Sequence, residues 1–168
     1  MATPSQIILM RHAEKPDFKS EILSEKGFQR AQALAHLFEI YPALAVNGVP
    51  DFLIAAKYVP GQSSRRSHQT LEPLGLKLNL AIQGEFLTEE FAKLASDLLQ
   101  NPQYEKKSIV IAWTHTYITK LANALGVGAA PDWDSSVFDR LWLIQFDLNG
   151  KLTFSNLGQK LLPGDSID

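Results

Sequence analysis

Cysteine is absent from this chain, which excludes disulfide scaffolds, thiolate nucleophiles and thiolate metal sites. Neither sign of charge dominates: 16 Lys and Arg stand against 18 Asp and Glu, for a formal net charge of -2. A chain without a basic field is not expected to bind nucleic acid. No apolar run approaches bilayer length, so no membrane partner is expected either. The segment 1–6 has no basic n-region and the apolar stretch after it is too short for a signal core, which makes a cytoplasmic location the expectation. A Walker-type or dinucleotide-binding glycine loop and a Gly-x-Ser-x-Gly elbow are also missing. The four histidines, His12, His36, His68 and His115, form no i,i+4 pair around a glutamate and no clustered ligand spacing, so neither a metal nor another cofactor is expected.

What is present fits one domain over residues 1–168, with 45% hydrophobic residues and no break in composition, repeat or low-complexity tract. Ile7 to Met10 reads as a short buried strand, and Ser108 to Trp113 as the strongest strand of the chain. Ser24 is placed to cap a helix whose apolar face is Phe28, Ala31, Leu34, Ala35 and Phe38, ending before Pro42. Asp51 to Tyr58 reads as a second buried strand, followed by a turn at Pro60 to Ser64 and a helix from about Ser64 to Leu74. Leu76 to Leu80 alternates as a half-exposed strand, and Thr88 to Gln100 returns to helical spacing, closed by Pro102. A short helix from Tyr117 to Leu125 stops at Gly126. Leu141 to Phe146 and Leu152 to Ser155 form a hairpin around Asn149-Gly150, a dipeptide suited to a tight turn. This order predicts an α/β fold, a three-layer α/β/α sandwich with a mixed, mostly parallel central sheet.

Arg11 and His12 follow the first strand, where residues leaving a sheet project into the binding crevice. A guanidinium matches phosphate with a planar fork of donors, and a neutral imidazole is a nucleophile. The plain alternative is an exposed pair solvating a loop, which the abrupt change from four apolar residues to Arg-His-Ala-Glu-Lys disfavours. Glu14 and Lys15 read as solvated loop residues. Arg65 and Arg66 open a helix, where the dipole disfavours cations unless an anion binds at the same terminus; the alternative is a surface basic pair. His115 leaves its strand as His12 does and could share a ligand with it, although a lone histidine bonded to backbone stands as the competing reading. His36 and His68 are given no chemical role. Trp133 and Phe138 read as packing under a loop rather than lining its rim.

These residues resemble the histidine phosphatase superfamily, the phosphoglycerate-mutase-like clan, over nearly the whole chain. Arg11-His12-Ala13 is similar to its Arg-His-Gly or Arg-His-Ala signature, Leu23 to Gln29 to its Leu-Thr-x-x-Gly-x-Gln helix, and Arg66 to Thr70 to its Arg-Ala-x-x-Thr segment. The last match selects Arg66 over Arg65. His115 takes the place of the second histidine, which commonly follows glycine and here follows Thr114.

The resemblance implies catalysis without a metal. His12 attacks phosphorus to form a phosphohistidine, while Arg11, Arg66 and His115 hold the phosphoryl oxygens and water then hydrolyses the intermediate. It also implies an acidic proton donor after the third strand, for which Glu85 lies nearest, with Glu89, Glu90 and Asp139 ranked behind it. The chain is too short for most segments that close a mutase, so the expected function is hydrolysis of a phosphomonoester on a small phosphorylated substrate. The alternatives are a phosphohistidine phosphatase acting on a phosphorelay protein, which an open pocket would favour, and a phospholigand-binding or regulatory domain without turnover.

Overall fold

Every side chain of the first strand is buried, and they alternate between two cores. Ile7 and Leu9 join one apolar cluster while Ile8 and Met10 join another, as the two-residue period of a strand covered on both faces requires. The computed structural model describes residues 3–168, so the first two residues of the segment read for a leader lie outside it. Its elements are β1 (Gln6–Arg11), α1 (Glu25–Leu34), α2 (Leu37–Ile40), α3 (Pro42–Ala45), β2 (Phe52–Ala55), α4 (Arg66–Leu78), β3 (Ile82–Gln83), α5 (Phe91–Gln100), β4 (Ser108–Trp113), α6 (His115–Ala124), β5 (Arg140–Phe146) and β6 (Leu152–Gly158).

The sheet order is β3-β2-β4-β1-β5-β6. The β3-β2-β4-β1 portion is parallel, and β5 and β6 add antiparallel strands beyond β1. Leu94 and Leu98 of α5 and Ile118 and Leu121 of α6 cover one face. Leu34, Leu37, Leu44, Leu71 and Leu74, from the first four helices, cover the other. The molecule is therefore the expected three-layer α/β/α arrangement around a mixed sheet.

Local expectations hold where capping or burial is strong. Ser24 caps α1 by accepting the Gly27 N–H at 3.1 Å, as a serine at that position does. Gly27 is required there, because a Cβ would lie 2.2 Å from the Glu14 carbonyl oxygen. Four readings need correction. Phe28 is 41% exposed and the buried face of α1 is Gly27, Arg30, Ala31 and Leu34; α1 also stops at Leu34, with α2 and α3 completing the run to Ala45.

Leu76 to Leu80 is not a strand. Leu71, Leu74 and Leu78 share a helical spacing that carries α4 through Leu78, leaving Leu76 85% exposed. Asn79 then closes the helix in the left-handed region at φ 55°, and the strand shortens to Ile82–Gln83. The terminal hairpin is wider than a two-residue turn: Asp147 N donates to Lys151 O at 3.0 Å, and Gly150 supplies φ 76° in a three-residue loop.

One polar node crosses this architecture. The Arg30 guanidinium, 2% exposed, reaches both Glu14 carboxylate oxygens from Nε at 3.0 Å and Glu14 Oε1 again from Nη2 at 2.8 Å. The Asp165 carboxylate accepts from Nη1 at 2.9 Å and from Nη2 at 2.8 Å. Gln159 Oε1 accepts the remaining contact at 3.0 Å. Burial alone would raise the Asp165 carboxyl, but Arg30 and the N–H groups of Leu162 and Leu161 outweigh it and hold it at about 2. The node ties the loop after His12 to α1 and to the tail beyond β6.

Arg30→Met leaves two largely buried carboxylates without their cation, and urea unfolding at neutral pH should show a loss of about 3–5 kcal/mol. Because the Asp165 carboxyl titrates lower folded than unfolded, its contribution is complete above about pH 4 and is lost as pH falls toward about 2. Asp165→Asn should therefore be less stable at neutral pH and show a shallower decline of stability over that acid interval; an unchanged slope overturns the assignment.

Candidate active site

β1 and β4 run parallel with Arg11 opposite Trp113, so His12 and Thr114 leave the sheet side by side. The His12 N–H donates to Trp113 O at 3.0 Å, extending the ladder one residue past the strand. The Ala13 N–H then donates to Thr70 Oγ1 at 2.8 Å, and the Thr70 hydroxyl donates to Arg66 O at 2.7 Å. The first turn of α4 is thereby fastened to the backbone beside His12.

The His12 ring is 3% exposed, with Nδ1 2.7 Å from Ala13 O. A carbonyl can only accept, so Nδ1 carries the proton and Nε2 carries the lone pair. Burial lowers the His12 pKa most; the bond to Ala13 opposes it, and the charges of Arg11, Arg66 and His115 lower it further, to about 3. The imidazole is neutral at ordinary pH, the state a nucleophile needs.

Arg11 and Arg66 share a pattern. Arg11 is 1% exposed, and its Nη1 donates to Ser135 O at 2.5 Å and to Val137 O at 3.3 Å. Arg66 Nη1 donates to Ser20 O. In each the Nε is buried without a partner among the described residues. Nε and Nη2 form the side-on edge of a guanidinium, the edge that grips an oxyanion with two parallel bonds. Burial, then the charge of Arg66, lowers the Arg11 pKa to about 10 against the pull of Glu14 and Asp134. Burial likewise lowers Arg66. Both cations are held in a setting that an anion would relieve.

His115 is the first residue of α6, and its pKa is lowered by burial and then by the charges of Arg11 and Lys15. Its charge acts on His12 and that of Arg11 acts on it, so the structure brings Arg11, His12, Arg66 and His115 near one another. Arg65 diverges toward the Tyr58 ring, 5.9 Å from its centroid. Thr114, the residue before His115, has a buried hydroxyl without a partner among the described residues. It lines a cleft of about 620 Å³ with Ser20, Glu21, Lys57, Ser63 and Arg66.

Glu85, expected as the proton donor, is not brought to this group. It lines a separate groove of about 930 Å³ with Gln83, Lys93, Asp97 and Tyr104, where its charge acts on the Tyr104 hydroxyl. That groove is larger but contains no arginine or histidine. Glu89 accepts from the Thr88 hydroxyl and Glu90 is paired with Lys93. Asp139 accepts the Ser166 N–H at 2.7 Å. Glu89 and Glu90 are thus held by neighbours in sequence, and Asp139 by the C-terminal tail. His36 and His68 lie outside the site, against Glu39 and Glu72.

The sequence reading missed four contributors. Ser135 and Val137 act through main-chain carbonyls, which leave no mark in a sequence. Phe138 does more than pack: its ring centroid is 3.8 Å from the Arg11 guanidinium carbon and 6.1 Å from the His12 ring. Asp134 is the carboxylate whose charge reaches Arg11 and His115, and hydrogen bonds from Ser136 hold its pKa low. An Asp followed two residues later by Ser is the signal of such a turn.

No family model matches the sequence, and no curated protein does. Solved structures do match. The protein histidine phosphatase SixA complexed with tungstate superposes with a TM-score of 0.66 at 20% identity, over 92% of this chain and 97% of its own. Phosphoserine phosphatase from Entamoeba histolytica in complex with 3-phosphoglyceric acid gives 0.62 at 16% identity, over 94% of this chain and 99% of its own. Phosphoglycerate mutase from Plasmodium falciparum gives 0.61 at 15%, over 97% and 96%. With its sheet order, its helices on both faces and this coverage, the chain has the histidine phosphatase, phosphoglycerate-mutase-like fold.

Proposed function

We propose that this protein is a metal-independent phosphatase that hydrolyses a phosphomonoester through a phosphohistidine on His12. The observation that carries the proposal is the contrast between Arg30 and two other arginines, Arg11 and Arg66. Arg30 is saturated by Glu14, Asp165 and Gln159, whereas Arg11 and Arg66 each keep an unpartnered Nε beside a neutral histidine. Two open forks at one nucleophile suit a tetrahedral oxyanion.

In this reading Nε2 of His12 attacks phosphorus as the bond to the leaving oxygen breaks. Arg11, Arg66 and His115 stabilise the charge on the equatorial oxygens. Water then attacks phosphorus, the P–N bond breaks, and phosphate leaves with His12 restored. The tautomer fixed by Ala13 keeps Nε2 available in both half-reactions.

A second reading is a phosphohistidine phosphatase acting on a protein, and the placement of the acids favours it. An alkoxide leaving group needs a proton, and Asp134, the carboxylate that acts on Arg11 and His115, is held ionised by Ser136. An imidazole leaving group departs from phosphorus with far less need for such a donor. The SixA structure carries the name of a protein histidine phosphatase, which supports this alternative.

Turnover of an aryl phosphate in the presence of chelator is the first expected result, with none for His12→Ala. Arg66→Ala should reduce kcat/KM by about 10²–10³-fold, on the scale of removing one oxyanion donor. Turnover retained in His12→Ala overturns the mechanism. If the second reading holds, a phosphoramidate will be cleaved much faster than an alkyl phosphate, and equal rates will exclude it.

The free protein should also keep His12 as the neutral Nδ1–H tautomer from about pH 5 to 8 in nitrogen-detected magnetic resonance, because its lowered pKa places protonation well below that interval. A His12 titration centred near the unperturbed value of about 6.5 overturns the assignment.

A further inference from the structure

Three buried side-chain atoms lack a hydrogen-bond partner among the described residues: Arg11 Nε, Arg66 Nε and Thr114 Oγ1. The two arginine atoms are accounted for by the proposed oxyanion. The third belongs to Thr114, which stands between the last residue of β4 and His115.

A buried hydroxyl normally finds a partner, and Thr114 has an obvious one at hand. It is the N-cap residue of α6, in the extended conformation of φ -99° and ψ 143°, from which a threonine usually accepts an N–H of the first turn. It makes no such bond. Its carbonyl accepts from Tyr117 N at 3.1 Å and Ile118 N at 3.0 Å, so the backbone caps the helix while the side chain does not. Thr114 lines a cleft with Arg66 and Ser67, and its hydroxyl is buried there without a partner among the described residues. The ladder that pairs Arg11 with Trp113 puts Thr114 beside His12.

We infer that the Thr114 hydroxyl is a further oxyanion ligand, donating a hydrogen bond to an oxygen of the phosphoryl group held by Arg11 and Arg66. The inference rests on the proposed phosphate site and adds a residue to it. The threonine provides a neutral, directional donor on the Arg66 side of the group, where a glycine would provide none. The methyl of a β-branched side chain limits how the hydroxyl can turn.

The test is binding of inorganic phosphate by titration calorimetry, alongside thermal unfolding of each protein. Thr114→Val keeps the shape and removes the donor, and should weaken phosphate binding by about tenfold or more, as for a bond to a charged acceptor. Thr114→Ser should stay within about threefold of the parent, since the donor remains. Neither should lower the unfolding temperature appreciably, because the hydroxyl does not cap α6. Thr116→Val, an exposed neighbour outside the site, should bind as the parent does.

Parent-like phosphate binding by Thr114→Val overturns the inference, as does a loss of binding in Thr114→Val that comes with a clear fall in its unfolding temperature, which would mark a structural role. Arg66→Met separates this from failure of the underlying site. If Arg66→Met loses phosphate while Thr114→Val keeps it, only the role of Thr114 falls. If Arg66→Met binds normally, or the parent binds no phosphate, both the site and the inference fall.

Discussion

The parallel ladder between β1 and β4 pairs Arg11 with Trp113, and the groups of the candidate site stand where they do because of that register. A slip of one residue would exchange the two faces of β1, sending Ile7 and Leu9 to the core that now holds Ile8 and Met10. It would also carry His12 away from the start of α6. Since both faces of this strand are covered by helices, burial of its apolar side chains fixes the position of a polar pair to within a hydrogen bond. Packing thus positions the polar groups that stand just beyond the end of the strand.

The second governing element is the uneven treatment of buried positive charge. Arg30 is enclosed by carboxylates and has its pKa raised, burial notwithstanding, by Asp165 and Glu14. Arg11 is anchored at one nitrogen by two carbonyls and covered by Phe138. It is rigid but not neutralised. A guanidinium held in this way needs little reorganisation when an anion arrives, which is the condition for strong electrostatic stabilisation in a site screened from water. The same fold therefore builds one arginine as a structural tie and leaves two with an unpartnered Nε, and the difference lies in whether a carboxylate bonds directly to the guanidinium.

The strands were legible because Ile7 to Met10 and Ser108 to Trp113 are continuous apolar runs bounded by polar residues. Arg11, His12, Arg66 and His115 were legible because each lies where a strand ends or a helix begins. Leu76 to Leu80 was misread because leucines two apart also belong to the set Leu71, Leu74 and Leu78. Tertiary packing of α4 chose the helical period, and the left-handed turn at Asn79 set its end. Phe28 was misread because apolar character does not reveal which face of a helix is covered, and a buried arginine claims the inner face of α1. The acid near the site was illegible for another reason. Glu85 follows the right strand, but a loop side chain points where its local turn sends it, and Asp134 reaches Arg11 from a loop distant in sequence.

β1 precedes β4 and β5 in the sequence yet lies between them in the interior of the sheet. Gln6 pairs with Ser108 on one side and with Gln145 on the other. During synthesis this strand has no neighbour until well over half of the chain has followed it. A short, uncharged, strongly apolar stretch must therefore wait with its backbone unpaired, the condition under which a nascent chain aggregates or engages a chaperone. Arg11 and His12, with Glu14 and Lys15 close behind, supply polar and charged groups at the end of that waiting strand. The residues of the candidate site also interrupt the adhesive stretch while the protein is still being made.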